Sequence, residues 1–182
     1  MAAWAYLHRM KILHLLALLL LLATACLEPR SPNQNSQGQD LLVEAQVMQS
    51  TPPLRFRDTV YVSIYSDIYS ESKESKFNLT ATLSIRNTSL SDSLFIDDID
   101  YYNSAGQLVR RYLDRPIFLS PMQSIEYVIE EGDTAGGTGA NFLVRWGSTT
   151  GDIQPIFEGI MISTYGQQGI SFRTSGRSIS RR

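Results

Sequence analysis

The alternation of apolar and polar residues is the feature of this sequence that most constrains its fold. From Phe77 to Ile85 the two kinds of side chain alternate over nine residues, which is typical of a strand with one buried face. The same alternation recurs in the segments Val60–Ile64, Ile125–Ile129 and Phe142–Trp146. No window repeats its apolar residues with the helical period of about 3.6, so we expect few helices.

Turn residues separate these alternating runs. Asn103–Gly106 is typical of a hairpin turn, and Ser120–Met122 and Gly132–Gly139 mark further turns. About seven to nine short strands in about 115 residues predict an all-β fold, a single immunoglobulin-like β-sandwich. A small β-barrel is the alternative, because periodicity does not distinguish an open sheet from a closed one. We predict that the core contains Val62, Ile64, Leu79, Ala81, Leu83, Ile85, Ile129, Val144, Trp146 and Ile160.

The start of the chain, residues 1–25, is typical of a lipoprotein signal peptide. Arg9 and Lys11 precede an apolar run over residues 12–23, shorter than the ~20 residues that span a membrane. Small residues then precede Cys26, the single cysteine of the chain. This ending resembles the lipobox of bacterial lipoproteins, in which the cysteine thiol receives a diacylglyceryl group. A plain signal peptide cut after Ala25 is the alternative.

A lipid on Cys26 would determine where the protein resides. Two or three acyl chains, palmitate among them, anchor a protein stably because each buried methylene adds ~0.8 kcal/mol. Residue 27 is Leu and not Asp, and the lipobox resemblance then implies sorting to the outer membrane of a two-membrane bacterium. We therefore expect a lipid-anchored protein of the bacterial cell envelope that faces the periplasm.

Polar segments lie on both sides of the predicted domain. Residues 26–57 contain Pro, Gly, Asn, Gln and Ser and predict a flexible tether. Residues 58–173 form the predicted sandwich domain, and residues 174–182, which include three arginines, predict a disordered basic tail. Acids outnumber basic residues in the domain, which argues against a nucleic-acid partner.

The chain lacks the side chains on which many catalytic and metal sites depend. Its two histidines, His8 and His14, both precede Cys26. A processed chain would therefore have no histidine general base, no free thiol nucleophile and no zinc site built from His or Cys. We expect no enzyme, no catalytic residues, no cofactor and no metal.

Two loops offer polar groups to a ligand. The Gly-rich stretch 132–139 and the strand after it contribute the oxygens of Asp133, Thr134 and Asn141. Gln167 and Gln168, between two glycines, contribute amides that donate and accept hydrogen bonds. We predict these five residues as ligand-binding candidates. Ordinary hairpin turns are the alternative for both loops.

Two acidic runs allow a different class of function. A glycosidase needs two carboxylates about 5–9 Å apart in a cleft, and calcium needs about six to eight oxygen ligands. The alternative to a binding protein is thus a carboxylate- or cation-dependent hydrolase of envelope glycans. It requires Glu130, Glu131 or Asp133 to meet Asp97 or Asp100 in a concave site.

Several long segments resemble a single bacterial family. They are YVSIYSDIYS, KFNLTATLSIRNTS, DIDYYNSAGQLVRRYLDRP, EEGDTAGGTGANFLVRW and MISTYGQQGISF. These segments cover most of residues 58–173 and resemble the domain-of-unknown-function family 3124, small secreted or lipid-anchored proteins. The resemblance supports a single domain and assigns no catalytic residue. We therefore predict a non-enzymatic binding or assembly module that contacts a membrane through its lipid and a protein or glycan partner in the envelope.

Overall fold

The strands of this protein bury alternate residues, which confirms the all-β prediction. The structure, a computed structural model, describes residues 46–151, 153–165 and 167–181. Within these ranges it has twelve strands and no helix, and so no helix of the length and apolarity that crossing a membrane requires. The strands are β1 Phe56–Ile64, β2 Asp67–Tyr69, β3 Lys76–Asn78, β4 Thr80–Arg86, β5 Leu94–Tyr102, β6 Leu108–Arg111, β7 Ile117–Leu119, β8 Ser124–Ile129, β9 Ala140–Ser148, β10 Ile156–Tyr165, β11 Gln168–Ser175 and β12 Arg177–Arg181.

The strands form two main antiparallel sheets and a short ribbon. The first sheet has the order β12-β1-β9-β5-β6, with β7 also paired to β5, and the second has the order β11-β10-β4-β8. β2 and β3 form the two-stranded ribbon. β1 contacts β10, β11 and β4 of the second sheet. Each main sheet ends in edge strands, so the fold is consistent with the predicted sandwich rather than with the small barrel.

Inward-facing apolar side chains of the two sheets share one core. In β1, Val60, Val62 and Ile64 are buried, and the residues between them are half-buried. Nine of the ten predicted core residues are buried. Alternation was sufficient to predict them because each side chain of a strand points to the opposite face from its neighbour.

The prediction that Ile160 belongs to the core is wrong. Both faces of β10 carry apolar residues. Phe157 and Met161 on one face are 6% and 0% exposed, whereas Ile162 on the other is 51% exposed. Glu158 shares the face of the isoleucines, and a carboxylate is costly to bury. The face with Phe157 and Met161 therefore packs into the core, and Ile160 lies half-buried on the outer face.

The predicted disordered tail, residues 174–182, is wrong for residues 174–181. Residues 174 and 175 end β11, and residues 177–181 form β12, which pairs with β1. Gly176 is the corner at which the chain passes from the second sheet to the first. A Cβ atom there would lie 2.6 Å from Val60 Cγ1 and 2.8 Å from Phe157 Cβ, so the corner has room only for glycine.

The last part of the predicted tether, residues 46–57, lies against the domain. Val47 forms a β-bridge with Ile117, and the N–H of Met48 donates to the carbonyl of Pro116 at 2.9 Å. β1 already begins at residue 56. The signal peptide, the lipid attachment at Cys26 and the first part of the tether lie outside the described residues.

The loops gather at two ends of the sandwich. At the end that we call the loop end, Ile64 pairs with Ala140 and Tyr102 with Asn141, next to the Gly-rich stretch. At the opposite end, which we call the entry end, β1 begins and β9 stops. Residues 149–151 and 153–155 and the turns 87–93 and 120–123 also belong to the entry end.

Candidate functional site

A cleft of about 570 Å³ opens at the entry end. It is lined by β1, β9 and β12 of the first sheet, by the start of β10 in the second, by residues 151 and 153–155 and by the corner at Gly176. Its volume is within the range of about 300–1,000 Å³ that small-molecule sites occupy. We call it the entry cleft.

Aromatic rings form one wall of the entry cleft. The ring centroids of Phe56 and Trp146 are 5.1 Å apart, and those of Trp146 and Phe157 are 5.9 Å apart. The two sheets contribute to this wall together, since Phe157 lies on β10 and the other two lie on β1 and β9. Aromatic packing of this kind gives the cleft a stiff apolar side.

A buried carboxylate lies in the same cleft. Asp58 is 4% exposed, and its Oδ1 accepts a hydrogen bond from the N–H of Thr59 at 2.7 Å and from the hydroxyl of Ser178 at 2.8 Å. Ser178 belongs to β12, so the segment predicted as a disordered tail contributes to the site. Asp58 is in phase with Val60, which places it on the core side of β1.

Trp146, one of the rings of this wall, carries a hydrogen-bond donor that has no partner in the described part of the chain. Trp146 is 4% exposed, and its indole N–H is buried with no acceptor among the described atoms. Buried polar groups are normally hydrogen-bonded. The residues that line the cleft therefore include aromatic rings, a buried carboxylate and a tryptophan whose buried indole N–H has no described acceptor. A few polar groups among apolar ones are typical of small-molecule sites.

The described lining residues of the entry cleft include few groups that could perform acid–base chemistry. Asp58 is the single carboxylate among its described lining residues, which include no lysine or arginine. A glycosidase mechanism needs two carboxyl groups. Across the described part of the chain, no group of three or more His, Cys, Asp or Glu side chains is placed to hold a metal ion.

The Gly-rich stretch, a predicted ligand loop, is fixed by the domain itself. The hydroxyl of Ser104 donates to the Gly136 carbonyl at 3.0 Å and accepts from the N–H of Gly139 at 2.8 Å. The N–H of Ser66 donates to the Gly137 carbonyl at 3.1 Å. Gly136, Gly137 and Gly139 therefore serve close packing at the loop end, whereas a Cβ atom built at Gly132 has no atom within 4 Å.

The three predicted residues near this stretch, Asp133, Thr134 and Asn141, have different surroundings. The carboxylate of Asp133 accepts from Arg110 at 2.9 Å and from the N–H of Ala135 at 3.2 Å. Thr134 is exposed, and Asn141 is half-buried on β9. The described hydrogen bonds thus hold Asp133 to an arginine of β6 rather than to the other candidates.

Gln167 and Gln168 lie at the turn between β10 and β11. Both side chains are exposed, and Gln168 pairs with Tyr165 across the hairpin. The loop end therefore holds all five predicted residues without gathering them into one described pocket. Their role in binding stays a prediction.

Arginines neutralise the acidic run of β5 on the outer face of the first sheet. Asp98 accepts from Arg145 Nε at 2.6 Å. Asp100, 3% exposed as a side chain, accepts from Arg145 Nη2 at 3.2 Å and from Arg111 Nε at 3.1 Å. The hydrogen bond to Asp98 is the main cause that raises the pKa of Arg145. This network joins β5, β6 and β9.

Two acids of the hydrolase alternative, Asp100 and Asp133, each form an ion pair with an arginine of β6. Arg110 holds Asp133 and Arg111 holds Asp100. Arg110 and Arg111 are successive residues of a strand and start from opposite faces, and neither ion pair joins the two carboxylates to each other.

Comparisons with known proteins give a family and one distant structure. A family model described as "Protein of unknown function (DUF3124)" matches residues 57–179, from the second residue of β1 into β12. A solved structure entitled "Crystal Structure of Thermotoga maritima 1070" matches with 12% identity and a TM-score of 0.38, covering 66% of this chain and 92% of that chain. No curated protein matches the sequence.

Proposed function

This chain belongs to the DUF3124 family of proteins of unknown function, and from that premise we propose that it is a non-enzymatic binding module of the bacterial cell envelope. The entry cleft is the binding site in this proposal. A lipid on Cys26 holds the protein at the membrane, and the partner is a glycan or a protein of the envelope. The lipobox-like ending of the apolar run supports the anchor, although it lies outside the described residues.

The unused indole N–H of Trp146 is the observation that carries the binding role. A buried donor without an acceptor costs about 1–3 kcal/mol. A ligand oxygen in the entry cleft would remove this cost, and a ligand hydroxyl would donate to the carboxylate of Asp58. A compact ring with several hydroxyl groups, as in envelope glycans, has both groups beside an apolar face that suits the aromatic wall.

Tryptophan fluorescence tests this proposal directly. The chain has two tryptophans, Trp4 and Trp146, so the full chain with Trp4→Phe reports on the cleft alone. We expect a saturable change of emission when disaccharide–peptide fragments of peptidoglycan are added. Asp58→Asn should weaken the binding about tenfold because it removes a charged acceptor. Asp98→Asn, on the outer face of the first sheet, is the matched control and should leave the affinity unchanged.

A flat titration would refute a glycan ligand at the cleft. Crosslinking from the entry end in intact envelopes would then identify the protein partner, and the absence of any crosslinked partner would refute the binding role as a whole. Turnover of the peptidoglycan fragments by the purified chain would contradict the non-enzymatic proposal.

The lipid anchor is tested separately. We expect labelled palmitate to be incorporated into the chain and to disappear in Cys26→Ala, which should leave the membrane fraction. A chain without label would contradict the anchor and leave the proposal for the entry cleft standing.

A further inference from the structure

Two turns at the entry end expose large apolar side chains. Leu90 is 84% exposed and Met122 is 64% exposed, the highest values for large apolar residues in the described part of the chain. A folded protein gains nothing from apolar surface left in water. We call the turns 87–93 and 120–123 together the apolar tip.

The apolar tip is one fixed feature rather than two separate loops. The N–H of Met122 donates to the carbonyl of Ser89 at 3.1 Å, so the two backbones lie side by side. The amide of Asn87, 2% exposed, donates to the carbonyl of Asp92 at 2.7 Å in the first turn and of Ser120 at 3.0 Å in the second. The side chains of Leu90 and Met122 therefore protrude from a common base.

The backbone of Met122 is strained. Its φ is 63°, and it occupies the third position of a turn closed by the N–H of Gln123 on the carbonyl of Ser120 at 3.0 Å. Glycine is the usual residue at such a position because it has no Cβ. The strain places an apolar side chain in solvent where glycine would be easier to accommodate, and strained residues of this kind cluster at functional sites.

The first described residues of the chain lie beside the apolar tip. The amide nitrogen of Gln46 donates to the side-chain oxygen of Gln123. The backbone N–H of Met48 donates to the carbonyl of Pro116, directly before β7. Cys26 lies 20 residues before Gln46 in the sequence. Even fully extended, that length spans at most about 70 Å. A lipid at Cys26 would therefore be joined to the domain through a segment that lies beside the apolar tip.

The chemistry of the apolar tip fits a lipid surface. Its two turns contain hydroxyl and amide side chains around the two apolar ones, no lysine, arginine or glutamate, and one half-buried acid, Asp92. Apolar side chains among uncharged polar groups match the boundary between headgroups and acyl chains. We infer that Leu90 and Met122 insert into the bilayer that carries the anchor. This inference rests on the lipid anchor of the proposed function.

A fluorescent probe at the tip tests the inference. Cys26 is the single cysteine, so in the lipidated chain an introduced cysteine is the one free thiol. An environment-sensitive probe is attached at Ser91→Cys in the tip or, as the control, at Ala105→Cys in the turn at the loop end. The lipidated protein is placed in vesicles of phosphatidylethanolamine with a minority of phosphatidylglycerol. We expect blue-shifted emission, quenched by a lipid-borne quencher, at position 91 and water-like emission at position 105.

Substitutions then separate the apolar tip from the anchor. Leu90→Ser combined with Met122→Ser should return the probe at position 91 to water-like emission while the protein stays on the vesicles. Leu108→Ser, a 46% exposed leucine at the loop end, is the matched control and should change nothing. Water-like emission at position 91 in the wild-type chain would overturn the inference and leave the anchor intact. A blue shift in native envelopes but not in pure vesicles would overturn it in favour of a protein partner.

A chain found in the soluble fraction would contradict the anchor, and flotation with the same vesicles would then decide the role of the tip. About tenfold less flotation of the double variant than of the wild type would support the inference. Equal or absent flotation of both would overturn it.

Discussion

Replacing Gly136 with alanine should destabilise the domain, although glycine-to-alanine changes in compatible loops usually stabilise. A Cβ atom at this position would lie 1.8 Å from Tyr101 Oη, 2.7 Å from Ala140 Cβ and 2.7 Å from Ser66 Oγ. Tyr101 is fully buried, and its hydroxyl bonds to that of Ser66 at 2.8 Å. The methyl group would therefore displace a core ring and break a buried hydrogen bond.

The magnitude follows from these two effects. Forcing an extra methyl group into a packed core costs about 1–3 kcal/mol. Leaving a buried hydroxyl without its partner costs about 1–3 kcal/mol, part of which relaxation of the loop recovers. We expect the free energy of unfolding to fall by about 2–4 kcal/mol, and the melting temperature by about 5–15 °C.

Urea unfolding followed by circular dichroism measures this loss, and Gly132→Ala is the matched control. No atom lies within 4 Å of a Cβ built at Gly132, so its free energy of unfolding should stay within about 0.5 kcal/mol of the wild type. Equal stability of the Gly136→Ala and Gly132→Ala proteins would refute the reasoning. The Gly-rich stretch would then be free to move, as the ligand-loop prediction requires.

Three further changes test other parts of the fold. Tyr127→Phe should raise the free energy of unfolding by about 1 kcal/mol, because the hydroxyl is buried without a partner among the described atoms. Burial raises the pKa of Tyr127, so the unfolded state loses this proton first. The free energy of unfolding of the wild type should therefore fall as the pH rises above about 10. Thermal melts in which the stability of the Tyr127→Phe protein falls as steeply would contradict this. Asp100→Asn should lower the free energy of unfolding, measured in urea, by about 1–2 kcal/mol. The loss is this small because its partners Arg111 and Arg145 are half-exposed to water. An unchanged free energy of unfolding would contradict a structural role for the network. Met122→Gly should raise the melting temperature by relieving about 1 kcal/mol of backbone strain, and a lower value would contradict that strain.

The sequence was sufficient to predict the fold class and most of the core. The residues of a strand alternate between a buried and an exposed face, and their polarity alternates with them. It failed at β10, where both phases are apolar and only Glu158 distinguishes them. It also failed at residues 174–181, whose polar composition is typical of disorder. β12 is nonetheless ordered by its pairing with β1, a long-range contact that a local pattern does not contain.

The entry cleft could be predicted only in part. The phase of β1 places Asp58 on the core side, and that signal was available in the sequence. Its position opposite Trp146 depends on the register between β1 and β9, which residue spacing does not reveal. The polar loops were conspicuous in composition, but the arginine that binds Asp133 and the serine that holds the Gly-rich stretch come from distant segments.

The indole N–H resonance of Trp146 provides the most direct test of the entry cleft as the binding site. In the ¹⁵N-labelled full chain with Trp4→Phe, this resonance is the single indole signal, and peptidoglycan fragments or envelope extract can be titrated against it. We predict a saturable shift as the donor gains an acceptor, while the backbone signals of Asp133, Gln167 and Gln168 stay in place. An unchanged indole signal with shifts confined to those three residues would contradict the account and move the binding site to the loop end.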